Sequence, residues 1–150
     1  MDALEFHLAD EAATDRIARR LAPHLQAGDV IALHGGLGAG KTTFCRSLIS
    51  ALAGQETEVP SPTYTLVQTY DGPGYSIFHF DLYRLDTPDE VLELGWGETM
   101  DGLSLIEWPG NAGPHLPQWR LDLTLEQTEE GRTARLEPRG EDWQARLHGI

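Results

Sequence analysis

A glycine, four residues, a second glycine and then Lys-Thr constrain this chain more than any other stretch of it. Gly35, Gly40, Lys41 and Thr42 lie within DVIALHGGLGAGKTTFCRSLISAL, Asp29 to Leu52, and together make a complete phosphate-binding loop pattern. Glycines let backbone N–H groups close around a triphosphate, a lysine ammonium neutralises its β and γ oxygens, and a threonine hydroxyl ligates Mg²⁺. The flanks match that chemistry. Val30, Ile31, Ala32 and Leu33 form a continuous apolar run, as a buried parallel strand requires. Phe44, Leu48, Ile49 and Leu52 recur at helical spacing, so the loop opens onto a helix whose N-terminal N–H groups and dipole favour phosphate. A plain Gly-rich turn accounts for the glycines and leaves both flanks unexplained.

Strand, loop and helix in that order predict an α/β chain with a P-loop NTPase-like three-layer fold, and a length of 150 residues makes residues 1–150 one domain. No apolar run reaches the length of a membrane span and no cleavable leader is visible, so a cytoplasmic protein is expected. Cys45 is the only cysteine, which excludes an internal disulfide, and it is expected to pack inside the loop helix. Net charge is -13, which repels RNA and anionic membranes unless a basic patch offsets it. No such patch is present: ten arginines are scattered, and the one lysine is Lys41.

The remaining elements follow from local pattern. Leu4, Phe6 and Leu8 alternate with polar residues as a half-buried edge strand, and Asp10 to Leu25 reads as a helix with Ile17, Leu21 and Leu25 on its apolar stripe. Glu56 to Ser61 is a polar linker. Thr63 to Tyr70 and Tyr75 to Asp81 alternate on either side of Asp71–Gly74, which predicts a hairpin. In its second strand Phe78 and Phe80 face one way, while Ile77, His79 and Asp81 face the other. Asp81 ends that strand, where ligands collect in open α/β sheets. Thr87, Pro88, Asp89 and Glu90 form a capping box opening a short helix through Leu94, and Gly95 to Gly102 reads as loop. Leu103, Leu105 and Ile106 form a short strand stopping at Glu107 and Trp108; a strand ending in a carboxylate beside a phosphate loop suits a Mg²⁺ site. Pro109 to Pro117 is rich in breakers. Arg120–Glu126 and Arg132–Pro138 predict a second hairpin, and Glu141–Leu147 a short helix. The hairpins imply a mixed sheet, parallel near the loop and antiparallel outside it.

GLGAGKTT (Gly36 to Thr43), SPTYTLV (Ser61 to Val67), FHFDLYRL (Phe78 to Leu85) and IEWP (Ile106 to Pro109) occur in one order over most of the chain. In order and spacing they resemble the TsaE (YjeE) family of P-loop ATPases in tRNA threonylcarbamoyladenosine biosynthesis. The resemblance implies an ATPase that uses ATP and Mg²⁺ and works with TsaB and TsaD, its hydrolysis driving or resetting threonylcarbamoyl transfer to the adenosine beside the anticodon. Contact with tRNA is then indirect, which agrees with the acidic surface. It further implies that Gly38, Ala39, Gly40, Lys41, Thr42 and Thr43 wrap the phosphates, with Thr42 and Glu107 at the metal. Asp81 polarises the attacking water or holds the metal's water shell. Ser61 and Thr63 act as a switch sensing the γ-phosphate, Trp108 lies against the nucleotide, Arg132 contacts it, and Glu11 borders the adenine. Gly36 and Gly110 stand where the family commonly has acidic residues.

Other functions compete on the same residues. A GTPase commonly reads guanine with Asn-Lys-x-Asp, which a chain whose only lysine is Lys41 cannot supply. A small-molecule kinase could use Asp81 as base, and a nucleotide-gated adaptor could bind partners with negligible hydrolysis. For His79, a core or supporting histidine is the expected reading, not a metal ligand.

Overall fold

A computed structural model describes residues 3–36, 38–60, 66–140, 142–147 and 150. Seven strands build one sheet: β1 (Leu4–Leu8), β2 (Val30–His34), β3 (Val67–Asp71), β4 (Ser76–Asp81), β5 (Leu103–Glu107), β6 (Arg120–Thr128) and β7 (Gly131–Arg139). Their spatial order is β1-β7-β6-β2-β5-β4-β3. The four central strands β6, β2, β5 and β4 run parallel, β7 and β3 flank them antiparallel, and the edge strand β1 pairs antiparallel with β7. All four parallel strands therefore deliver their carboxyl ends to one edge of the sheet.

Two helices, α1 (Glu11–Leu21) and α2 (Lys41–Ala53), cover one face. Ile17, Ala18 and Leu21 of α1 and Phe44, Leu48 and Ile49 of α2 pack there with Ile31, Leu33, Leu105 and Leu123. Val30, Phe80 and Ile106 point to the opposite face, where Val91 and Ala112 of two 3₁₀ segments, Pro88–Leu94 and Pro109–His115, complete a second core. This makes three layers, with the period-two alternation of each strand assigning its residues to one core or the other. Ile77, His79 and Asp81 share the α2 face, as do Leu103, Leu105 and Glu107.

Local pattern and structure differ in several places. The first helix ends at Leu21 and tightens into a 3₁₀ turn at Ala22–His24, because Pro23 cannot extend an α-helix. Gly95–Gly102 is not an open loop: Trp96–Asp101 forms a 3₁₀ segment, anchored by Trp96 Nε1 donating to His115 O at 3.0 Å and by Thr99 Oγ1 donating to Trp96 O at 2.8 Å. Within the breaker-rich Pro109–Pro117, Pro109–His115 likewise coils into 3₁₀ turns around a kink at Gly113. The first hairpin's described strand begins at Val67, since Leu66 has φ 67° and leaves extended geometry. The tail helix, α3, is shorter than predicted, at Trp143–Arg146.

Polar ties hold β2 at both ends. Before it, Asp29 accepts a bidentate pair from Arg146 of α3 at 2.6 and 2.9 Å. At its end, His34 Nε2 lies 2.9 Å from Asp122 Oδ1 of β6, and Asp122 also accepts from Arg120 and Arg139. Burial alone would raise the Asp122 carboxyl, but the hydrogen bonds from His34, Arg139 and Arg120 more than reverse this and hold it well below the usual carboxylate range.

Candidate active site

The buried strand β2 ends at His34, and the chain turns through the glycine loop into α2. Gly35 takes φ 144° with no room for a side chain: a Cβ there would stand 2.5 Å from Leu125 O. Gly40 caps α2 at φ 102°, a conformation that suits glycine alone. Lys41 begins the helix and turns back, so its Nζ donates to Gly35 O at 2.5 Å and Gly36 O at 3.1 Å. The same ammonium lies 3.8 Å from the centre of the Trp108 ring, within cation–π range. Burial lowers the Lys41 amine, and the Glu107 and Asp81 charges work against that.

Asp81 and Glu107 are register partners at the ends of adjacent parallel strands, so their placement beside the loop is a property of the sheet. Asp81 Oδ1 accepts from Tyr83 N at 3.0 Å. Glu107 is 3% exposed; Thr42 Oγ1 lies 3.0 Å from each of its carboxylate oxygens, and His79 Nε2 lies 2.6 Å from Oε2. Trp108, one residue on, adopts left-handed backbone at φ 57°, an unusual state for a bulky residue that costs on the order of 1–3 kcal/mol. Its ring stacks on Tyr83, centroids 4.9 Å apart. The turn that follows is closed by Asn111 N donating to Trp108 O at 3.1 Å and Asn111 Nδ2 donating to Leu82 O at 2.8 Å.

These groups surround a cleft of about 350 Å³ whose walls include Gly38 to Thr43, Asp81, Glu107, Trp108 and Arg132. Glu11 lies outside it, at a second cleft of about 520 Å³ that shares Arg132 as a wall. Ser61 and Thr63 lie outside the described residues. The β6–β7 hairpin supplies two residues to the loop: Gln127 Nε2 donates to Gly38 O at 2.9 Å and Arg132 Nη2 to the same oxygen at 3.4 Å. Neither Gln127 nor Tyr83 was singled out by sequence. The only signal for Tyr83 was its place two residues after Asp81; Gln127 had none, being 89 residues from its partner. Gly36, where an acid is common in the family pattern, has open space around its Cβ position.

A G-x4-G-K-T loop between a buried parallel strand and a helix, with two carboxylates at the ends of the strands beside it, defines an α/β protein built on the phosphate-loop plan. The family model "Threonylcarbamoyl adenosine biosynthesis protein TsaE" matches residues 8–135. The chain belongs to the TsaE family, whose role is in tRNA threonylcarbamoyladenosine biosynthesis. It is 41% identical to the Rickettsia felis tRNA threonylcarbamoyladenosine biosynthesis protein TsaE over 126 residues, 83% of this chain and 74% of that one. It is 34% identical to the Haemophilus influenzae protein of the same name over 91% of this chain and 90% of that one. The crystal structure of Bacillus subtilis YdiB superposes with a TM-score of 0.79 at 27% identity, covering 97% of this chain and 91% of that chain. Among the described residues, no helix is long and apolar enough to cross a membrane.

Proposed function

We propose that this chain binds ATP with Mg²⁺ and hydrolyses it, and that it does so in company with TsaB and TsaD to drive or reset threonylcarbamoyl transfer to tRNA. The observation that carries the reading is the convergence of Lys41, Thr42, Asp81 and Glu107 on one cleft at the glycine loop. Hydroxyl and carboxylate oxygens are the donors Mg²⁺ prefers, and Thr42 Oγ1 with Glu107 supplies both within 3.0 Å. Mg²⁺ bound there would neutralise charge developing on the β and γ phosphates. Lys41 exchanges the carbonyls of Gly35 and Gly36 for phosphate oxygens, with Gly38 to Thr43 offering backbone N–H groups. Asp81 orients the attacking water. Arg132, a wall of both clefts, places its guanidinium between the phosphate loop and a base lodged toward Glu11.

The test is reconstitution with TsaB, TsaD, tRNA and ATP, with the modified nucleoside as readout and phosphate release measured in parallel. Asp81→Ala is expected to bind ATP normally while phosphate release falls at least about 100-fold, the scale of a lost acid–base or water-positioning group. A wild-type rate in that variant removes Asp81 from the chemistry, and phosphate delivered to a metabolite in place of water replaces the ATPase reading with a kinase.

Nucleotide binding has its own optical report. Of the four tryptophans, Trp108 alone is a wall of the loop cleft among the described residues, and it contacts the ammonium that must move. Titration with ADP or ATP is expected to change tryptophan emission in the wild type and to leave Trp108→Phe nearly silent. An unchanged response in Trp108→Phe removes that ring from the site.

A further inference from the structure

We infer that His79 is a positioning residue that holds the Glu107 carboxylate in the orientation needed to receive a divalent cation beside Thr42. The inference rests on the nucleotide reading above and extends it to a residue with no surface at the cleft.

His79 is fully buried on β4, on the face that packs under α2. Sheet register brings it to Glu107: His79 pairs with Leu105 and Asp81 with Glu107 across β4 and β5, and the imidazole reaches the carboxylate at 2.6 Å. An ionised carboxylate has no hydrogen to give, so Nε2 donates. Nδ1 is buried and has no hydrogen-bond partner among the described residues. The Nε2 donor is therefore committed to Oε2. Glu107 is gripped from two sides, by imidazole from within the sheet and by the Thr42 hydroxyl from the cleft. Without the imidazole, the side-chain hydrogen bond left to the carboxylate among the described residues comes from a hydroxyl whose lone pairs the cation also recruits.

Cys45 stands close enough to suggest a different arrangement, since its sulfur and ligand atoms of His79 and Glu107 lie within 4.8 Å of one another. The 2.6 Å separation of nitrogen and oxygen is a hydrogen bond; two ligands of one tetrahedral ion stay about 3.3 Å apart. Burial, with the nearby Glu107 and Asp81 charges, also pushes the Cys45 thiol up, keeping it protonated.

The decisive measurements are Mn²⁺ affinity in the presence of ADP, by EPR titration, and ADP binding without metal, by tryptophan emission. His79→Leu removes the donor at similar volume; His79→Gln returns an amide N–H near the place of Nε2. His79→Leu is expected to weaken Mn²⁺ binding about 10–100-fold, the usual effect of losing a partner of a metal ligand, with metal-free ADP binding unchanged and His79→Gln recovering most of the loss. Wild-type Mn²⁺ affinity in His79→Leu overturns the inference, as does a parallel loss of metal-free ADP binding and thermal stability that His79→Gln fails to repair. A long-range ¹H–¹⁵N spectrum of the wild type gives a check that needs no variant: a proton on Nδ1 in place of Nε2 overturns it as well. A wild type that binds neither ADP nor Mn²⁺ overturns the nucleotide reading, whereas a wild type that binds both with His79→Leu its equal overturns this inference alone.

Discussion

Lys41→Ala is expected to lower ATP hydrolysis at least about 100-fold, the scale on which a single charge-stabilising donor acts in an enclosed site, and to weaken nucleotide binding with it. Lys41 is the chain's only lysine, and nothing else among the cleft's described walls but Arg132 is cationic. Its buried ammonium stands in the field of Asp81 and Glu107; once it is gone, two carboxylates face the phosphates with less to offset them. Lys41→Arg should not restore activity, since the planar guanidinium fork cannot occupy the point-charge position between the Gly35 and Gly36 carbonyls and the Trp108 ring. Phosphate release and calorimetric ADP titration check both variants. Hydrolysis near the wild-type rate in Lys41→Ala would place the chemistry outside this loop.

The largest stability effect is expected at Asp122. Its side chain is 6% exposed and joins His34, Arg120 and Arg139, tying the strand that enters the loop to the strand beside it. Asp122→Ala leaves those partners without their acceptor and is expected to cost about 3 kcal/mol, which for a chain of this length lowers Tm by on the order of 10 °C. The pH dependence follows in sign. The folded carboxyl is held below its unfolded value, so its contribution is complete above the unfolded pKa of about 4 and is lost as pH falls below that. Wild-type stability should therefore fall on acidification below about pH 4, and Asp122→Asn, which cannot titrate there, should show a shallower slope. Thermal melts between neutral and strongly acid pH measure both, and equal slopes in the two proteins would remove Asp122 from the acid sensitivity.

The two sites differ in how far each was legible in the sequence. Everything local at the loop was: an apolar run, glycines at fixed spacing, one lysine and a helical stripe lie within two dozen residues, and chain connectivity alone forces them together. Asp81 and Glu107 were legible as strand ends because a carboxylate closing an apolar run is a local pattern. The Asp122 cluster was not. It joins residues from three strands, and the alternation of Arg120–Glu126 says which side of β6 faces inward without saying which strand lies beside it. Gly95–Gly102 misled for a related reason, since the Trp96 and Thr99 hydrogen bonds that coil it compete with a sequence that reads locally as loop.

By itself the sequence determined the phosphate loop, the identity of its single lysine, the two strand-end carboxylates and the motif order by which the family is known. Tertiary structure alone decided that β6 inserts beside β2, which carries Gln127 and Arg132 over the loop, and that β4 and β5 pair in the register that sets His79 against Glu107. The physical reason is that alternation fixes only which face a side chain takes, whereas neighbour and register are chosen by burial summed over the whole sheet, to which each strand contributes only a part.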